Sequence, residues 1–181
     1  MIKVSVKMII ALCLCVGLGF AKDYTLDSRS HIGFKVKKFG VMSVEGVFKQ
    51  SSGNLTLEGD VIKRLKGEII IKSVFTDSQK RDKHLLESDF LDEARFAKGE
   101  FIMTDYQEQS RTQESIKGQV IGNLTLHGIS QPIVFESIIE NLQANPTINL
   151  TSEINIKDFD IQGSMMNSDK VSITLKTIWN P

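Results

Sequence analysis

The chain has 181 residues, with 22 Lys plus Arg against 22 Asp plus Glu, three histidines, two cysteines and three prolines. Balanced charge without a basic cluster interleaved with aromatics argues against nucleic acid as a partner. Both cysteines, Cys13 and Cys15, fall within the first 21 residues, so the rest of the chain has neither disulfide nor thiol chemistry.

Those first residues read as a cleaved signal peptide. Lys3 and Lys7 supply the positive start, Met8 to Leu18 the apolar core, and Gly19-Phe20-Ala21 small residues at the two positions that a signal peptidase reads. The apolar core is too short for a comfortable membrane span, and no later stretch is long enough, so an integral membrane protein is not expected. Neither cysteine follows the small residue of a lipoprotein cleavage site. The expected product is an exported, periplasmic protein in which residues 22–181 form one domain with two net negative charges.

Tyr24 to Asp27 opens this domain as an expected edge strand. Next, Ile32, Phe34 and Val36 alternate with His31, Lys35 and Lys37, the pattern of a half-buried strand. Met42, Val44, Gly46 and Phe48 share a face of the following strand, where a mid-strand glycine marks a bend or the close approach of another group. Ser51 to Asn54 reads as a turn, and Leu55 to Leu57 as a short strand. In the β-rich run Leu65 to Thr76, three consecutive isoleucines (69 to 71) imply apolar neighbours on both faces.

Thr76 to Asp92 alone does not alternate. Leu85, Leu86, Phe90 and Leu91 fall on one helical face, opposite Arg81, Asp82, Lys83 and Glu87, and Asp77 or Ser78 can cap the start. A short helix near residues 78–91 is therefore expected, covering an open end or edge of the sheet as a lid. Alternation resumes from Phe96 to Tyr106, and the polar stretch Asp105 to Ser115 reads as a mobile exposed loop. Residues 116–126 and 132–142 form a hairpin around His127-Gly128-Ile129-Ser130. A strand from Ile148 to Ile156, a polar excursion from Asp158 to Ser168, and a last strand through Val171, Ile173, Leu175 and Trp179 complete the chain. The total is eight or nine strands. Such spacing argues for an all-β sandwich or barrel, and a barrel of eight antiparallel strands encloses space for one small ligand.

Several motifs, in order, carry a family resemblance: Tyr24-Thr25-Leu26-Asp27; Gly46-Val47-Phe48; Thr76 with residues 81–85 (RDKHL) and 89–92 (DFLD); residues 122–129 (GNLTLHGI) with Pro132; and Lys157-Asp158-Phe159-Asp160. Together they resemble the YceI-like family of exported bacterial proteins over essentially all of residues 22–181. The resemblance implies an extended, lipocalin-like eight-stranded barrel, usually a homodimer, that holds a long apolar molecule: an isoprenoid, a quinone-like lipid or a fatty-acid derivative. The sequence departs from many members at Lys38, where they have His, and at Phe96-Ala97, where they have Tyr-Pro.

The candidate ligand-binding residues are Phe34, Phe48, Phe75, Phe90, Phe101, Leu126, Phe135 and Trp179, together with Arg81, Asp82 and His84 near the opening. Arg81 can pair with a phosphate or polarise a carbonyl headgroup. Equally, Arg81 and Asp82 can form a network that docks the helix onto the sheet. His31, His84 and His127 lie in separate elements with no HxH, HExxH or CxxC spacing, so no metal is expected. With no cysteine in residues 22–181 and no GxSxG, no catalytic residue is assigned either. No cofactor is expected beyond a non-covalent lipid. An enzyme acting on such a lipid through Arg81, Asp82, His84 or His127 is the alternative, and a stress-linked structural dimer is a third reading.

Overall fold

The computed structural model describes residues 21–38, 42–142, 144–163 and 167–181. The expected signal peptide lies outside them, apart from Ala21. Eleven strands follow the chain: β1 (Ala21–Leu26), β2 (His31–Lys38), β3 (Met42–Phe48), β4 (Ser51–Glu58), β5 (Val61–Ile70), β6 (Val74–Phe75), β7 (Lys98–Arg111), β8 (Ser115–Leu126), β9 (Ile129–Glu140), β10 (Thr147–Asn155) and β11 (Asn167–Asn180). Among the described residues one helix, α1 (Gln79–Leu85), sits between β6 and β7, and a 3-10 turn, Ile156–Phe159, follows β10.

The strands make eight walls. Successive neighbours are β1, β4, β5, β7, β8, β9, β10 and β11, all antiparallel, and β1 pairs with β11 to close the barrel. Three walls bend at mid-length. β1 continues into β2, β4 continues backwards into β3, and β5 continues into β6, so the lower halves pair as β1-β4-β5 and the upper halves as β2-β3-β6. Beyond the bend, β6 pairs only with β3 among the described residues. Residues 76–97, which include α1, join β6 to β7 and occupy the gap. Bulges between Met103 and Asp105 and between Glu108 and Ser110 on β7, like that at Lys63 on β5, opposite Thr56 and Leu57, add the local curvature that a closed sheet needs.

Inward positions follow the period of two. On β8 they are Ile116, Val120 and Leu124, on β9 Ile133, Phe135 and Ile139, and on β11 Val171, Ile173, Leu175, Thr177 and Trp179. The hairpin between β8 and β9 turns on His127 (φ 50°) and Gly128 (φ 74°), the paired left-handed residues of a type I′ turn whose twist suits the flanking strands.

Three expectations fail here. β1 is paired on both edges and is not an edge strand. Ser51–Asn54 belongs to β4. Asp105–Arg111 continues β7, leaving only residues 112–114 as a loop, because polar residues there pair with β8: Gln107 faces Gln119, Glu108 faces Gly118 and Arg111 faces Ile116. Arg111 also clamps that end through Glu108 (2.7 Å) and Asp60 in the β4–β5 turn (3.1 Å).

Closure at the β1–β2 corner rests on Asp27. Its carboxylate accepts from Arg29 Nε (2.9 Å), from the Arg29 backbone N–H (2.7 Å) and from Asn180 Nδ2 (2.8 Å). These bonds to Arg29, helped by Asn180, hold its pKa well below the usual carboxylate range. A depressed folded-state pKa stabilises the fold fully above the unfolded value, near 3.9, and the contribution fades as pH falls below it. Asp27→Asn is therefore expected to lower the urea midpoint at pH 6, with the gap to the parent protein beginning to narrow as pH falls below about 4. A gap that persists unchanged at pH 3 contradicts this assignment.

Candidate functional site

Bending the three walls opens the lid end of the barrel. The other end is solid: Tyr24, Leu55, Leu57, Val120, Ile139 and Ile148 are all buried and pack across it. Between this plug and the lid lies a cavity of about 230 Å³. Its walls are apolar, with Ile69 and Leu65 from β5, Leu150 from β10 and Ile173 from β11 among the lining residues. Burial of an apolar chain there contributes about 0.8 kcal/mol per methylene without any polar recognition.

Of the expected site residues, the structure brings Phe34, Phe48, Phe90, Phe101, Leu126, Phe135 and Trp179 together around this cavity. Phe34 and Phe48 lie 5.7 Å apart between ring centroids, and Phe101 meets Phe135 edge-on at 5.3 Å. Phe75, Arg81, Asp82 and His84 are not among the lining residues. Phe75 sits under Lys49, whose Nζ is 3.3 Å from the ring centroid.

Arg81 and Asp82 instead grip Thr76, which is 3% exposed. Asp82 Oδ1 accepts from the Thr76 backbone N–H (2.9 Å) and hydroxyl (2.5 Å), while Arg81 Nε donates to Thr76 Oγ1 (2.7 Å) and its terminal nitrogen donates to the Thr76 carbonyl. This is the docking network weighed from sequence. α1 ends at Leu85, and turns carry the chain onward: Leu91 N–H bonds Leu85 O (3.1 Å) and Phe90 N–H bonds Glu87 O (3.0 Å). Those turns aim Leu85, Phe90 and Leu91 into the cavity. Ser78 occupies the N-cap position, but its side chain makes no capping bond.

The histidines do not converge. His84 Nε2 lies 3.2 Å from Asp89 and 4.0 Å from Glu87, an exposed trio whose donor atoms fall within 4.8 Å of one another. His127 Nδ1 lies 3.1 Å from the Phe159 carbonyl and its ring packs against Phe96; its buried Nε2 has no partner among the described residues. Arg81 and Asp82 meet only through Thr76, and none of these four groups lines the cavity.

Sequence reasoning missed Leu26, Ile156 and Ile161, which sit in or beside corners that read as turns, and it could not choose between the two faces of β5. Two glycines shape the walls. At Gly46 a Cβ would lie 2.3 Å from Phe34 Cζ and 2.8 Å from Thr76 Cγ2. Gly46→Ala is thus expected to push the Phe34 ring into the cavity and to cost about 1–3 kcal/mol, read as a lowered urea midpoint. At Gly67, by contrast, a Cβ meets nothing within 4 Å. Beside it, Lys66–Glu100 (2.5 Å) and Lys98–Glu68 (2.9 Å) pairs cross between β5 and β7, and the bond to Glu100 pushes the Lys66 pKa up.

The chain is thus a closed eight-stranded antiparallel β-barrel, plugged at one end and hollow beneath a lid at the other. The YceI-like domain model matches residues 24–178, and the chain belongs to that family. A UPF0312 protein of Pseudomonas fluorescens (strain Pf-5) is 30% identical over 166 residues, covering 85% of this chain and 82% of that protein. One from Pseudomonas savastanoi pv. phaseolicola is 28% identical, over 90% and 88%. Among solved structures, the Campylobacter jejuni YCEI protein superposes with TM-score 0.68 at 26% identity, covering 80% of this chain and 89% of that one. Two more distant structures share the fold. Burkholderia cenocepacia BcnA gives TM-score 0.75 at 16% identity, over 84% and 98%; a polyisoprenoid binding domain from Saccharophagus degradans gives 0.69 at 16%, over 87% and 97%.

Proposed function

We propose that this protein is a periplasmic binding or carrier protein that holds the apolar chain of an isoprenoid, a quinone-like lipid or a fatty-acid derivative in the lid-end cavity. The observation that carries this reading is the cavity itself: space in a closed barrel, walled by Leu, Ile and Phe side chains, under a lid that contributes Leu85, Phe90 and Leu91. The polyisoprenoid-binding description of the Saccharophagus domain, which shares the fold, supports the ligand class. Binding without catalysis is supported because Arg81, Asp82 and His84 are engaged in lid contacts away from the cavity and His127 contacts a backbone carbonyl. Export follows from the signal peptide read in residues 1–21. A homodimer belongs to the same proposal, and the exposed Ile102, Val134 and Ile138 on the outer face of β7 and β9 support it.

The test is a native mass spectrum of the mature protein purified from its producing cells, before and after organic extraction. A stoichiometric extra mass that leaves with the solvent is expected. An empty protein that also ignores added isoprenoids and fatty acids overturns the reading.

A further inference from the structure

Resting on the carrier reading above, we infer that Trp179 is the floor of the binding site and measures its ligand: one apolar chain of about sixteen extended carbons, entering tail first. Trp179 lines the cavity and is 2% exposed. Its indole packs over Gly53, where a Cβ would lie 3.1 Å from the ring. Nε1 donates to Thr177 Oγ1 (2.9 Å), and that hydroxyl donates to the Ile148 carbonyl (2.8 Å). The ring is therefore fixed on both its apolar and its polar side. Behind it stand Leu55, Leu57, Val120, Ile139 and Ile148, all buried and outside the cavity lining.

Depth follows from β11. Val171, Ile173, Leu175, Thr177 and Trp179 all line the cavity, a run of eight residue steps. At ~3.3 Å per step the run spans roughly 26 Å of strand, and a tilt of about 35–45° leaves roughly 20 Å along the axis. An extended chain with C–C bonds near 1.5 Å and angles near 111° advances ~1.25 Å per carbon, so about sixteen carbons fill that depth. Longer chains have to emerge at the lid.

Orientation follows from the polar groups. At the floor, the indole N–H and the Thr177 hydroxyl are both satisfied, which leaves no donor for a headgroup. Ser168, at the opposite end of β11, is a polar residue among those that line the lid end; its Oγ accepts from the Lys170 N–H (3.0 Å) and keeps its own hydrogen to donate.

Trp179 is the sole tryptophan of the chain, so its emission reports on the floor directly. The mature protein would be loaded with hexadecanoic acid brominated at carbon 2 or at the terminal carbons, with loading confirmed by native mass spectrometry. Terminal bromine is expected to quench at least threefold more than bromine at carbon 2, and affinity is expected to stop rising with chain length beyond about sixteen carbons. Trp179→Phe is expected to move that limit up by about two carbons. Stoichiometric binding with equal or reversed quenching overturns the floor assignment and leaves the carrier reading standing. If neither brominated acid binds, nor any isoprenoid, both are overturned. The quenching result decides the matter even if the Trp179 variant fails to fold.

Discussion

Gly67→Leu is expected to weaken lipid binding by about a hundredfold or more while leaving the barrel folded. Gly67 is an inward residue of β5, paired with Gly53 and Phe101 across its two neighbours, and a Cβ there enters open space. A leucine side chain puts four carbons where the ligand chain would lie. Displacing about four methylenes forfeits roughly 3 kcal/mol, a loss of about a hundredfold or more in affinity. Since a Cβ at position 67 meets nothing within 4 Å and the added side chain enters the cavity, the urea midpoint should hold or rise. Fluorescent-lipid displacement, paired with a denaturation curve on the same variant, reads both halves. Unchanged affinity in a folded Gly67→Leu protein would place the ligand elsewhere.

Loss of the Asp82 carboxylate should free the lid without unfolding the barrel. In Asp82→Ala the Thr76 backbone N–H and hydroxyl lose an acceptor at a nearly fully buried position. Each bond to a charged group contributes about 1.5–3 kcal/mol, and the orphaned N–H adds a desolvation cost. Because the two bonds share one oxygen they do not add in full, and about 3 kcal/mol is the expected local loss. Amide exchange over residues 76–96 should accelerate about a hundredfold. Exchange in β8 and β9 should stay near the parent rate, and bound lipid should leave faster. Uniformly faster exchange over the whole barrel would show that Asp82 holds the fold and not the lid alone.

Alternation made much of this architecture legible. β8, β9 and β11 carry apolar residues at every second position because one face meets the core and the other meets water, and the His127-Gly128 turn fixes the pairing of β8 with β9. The interruption at Thr76–Asp92 likewise announced a lid, since its apolar residues fit no strand period. Polar segments were harder. Asp105–Arg111 is held by its ladder to β8 and by Arg111 pairing with Glu108 and Asp60, not by burial, so its composition looks like a loop. Corners hid Leu26 and Ile161 for a related reason: turn residues around them mask a single inward side chain. Arg81 and Asp82 read equally well as headgroup ligands or as lid anchors, because sequence gives no direction to a side chain. Their shared partner, Thr76, supplies that direction.

Methyl resonances report directly on where an apolar chain sits in this barrel. With the mature protein labelled at Leu, Ile and Val methyls and titrated with hexadecanoic acid, the lid-end residues Leu65, Ile69, Leu150 and Ile173 should shift, and Leu55, Leu57, Ile139 and Ile148 behind Trp179 should stay still. Shifts confined to Ile102, Val134 and Ile138 on the outer wall would contradict the account, because they would show that lipid meets this barrel only from outside.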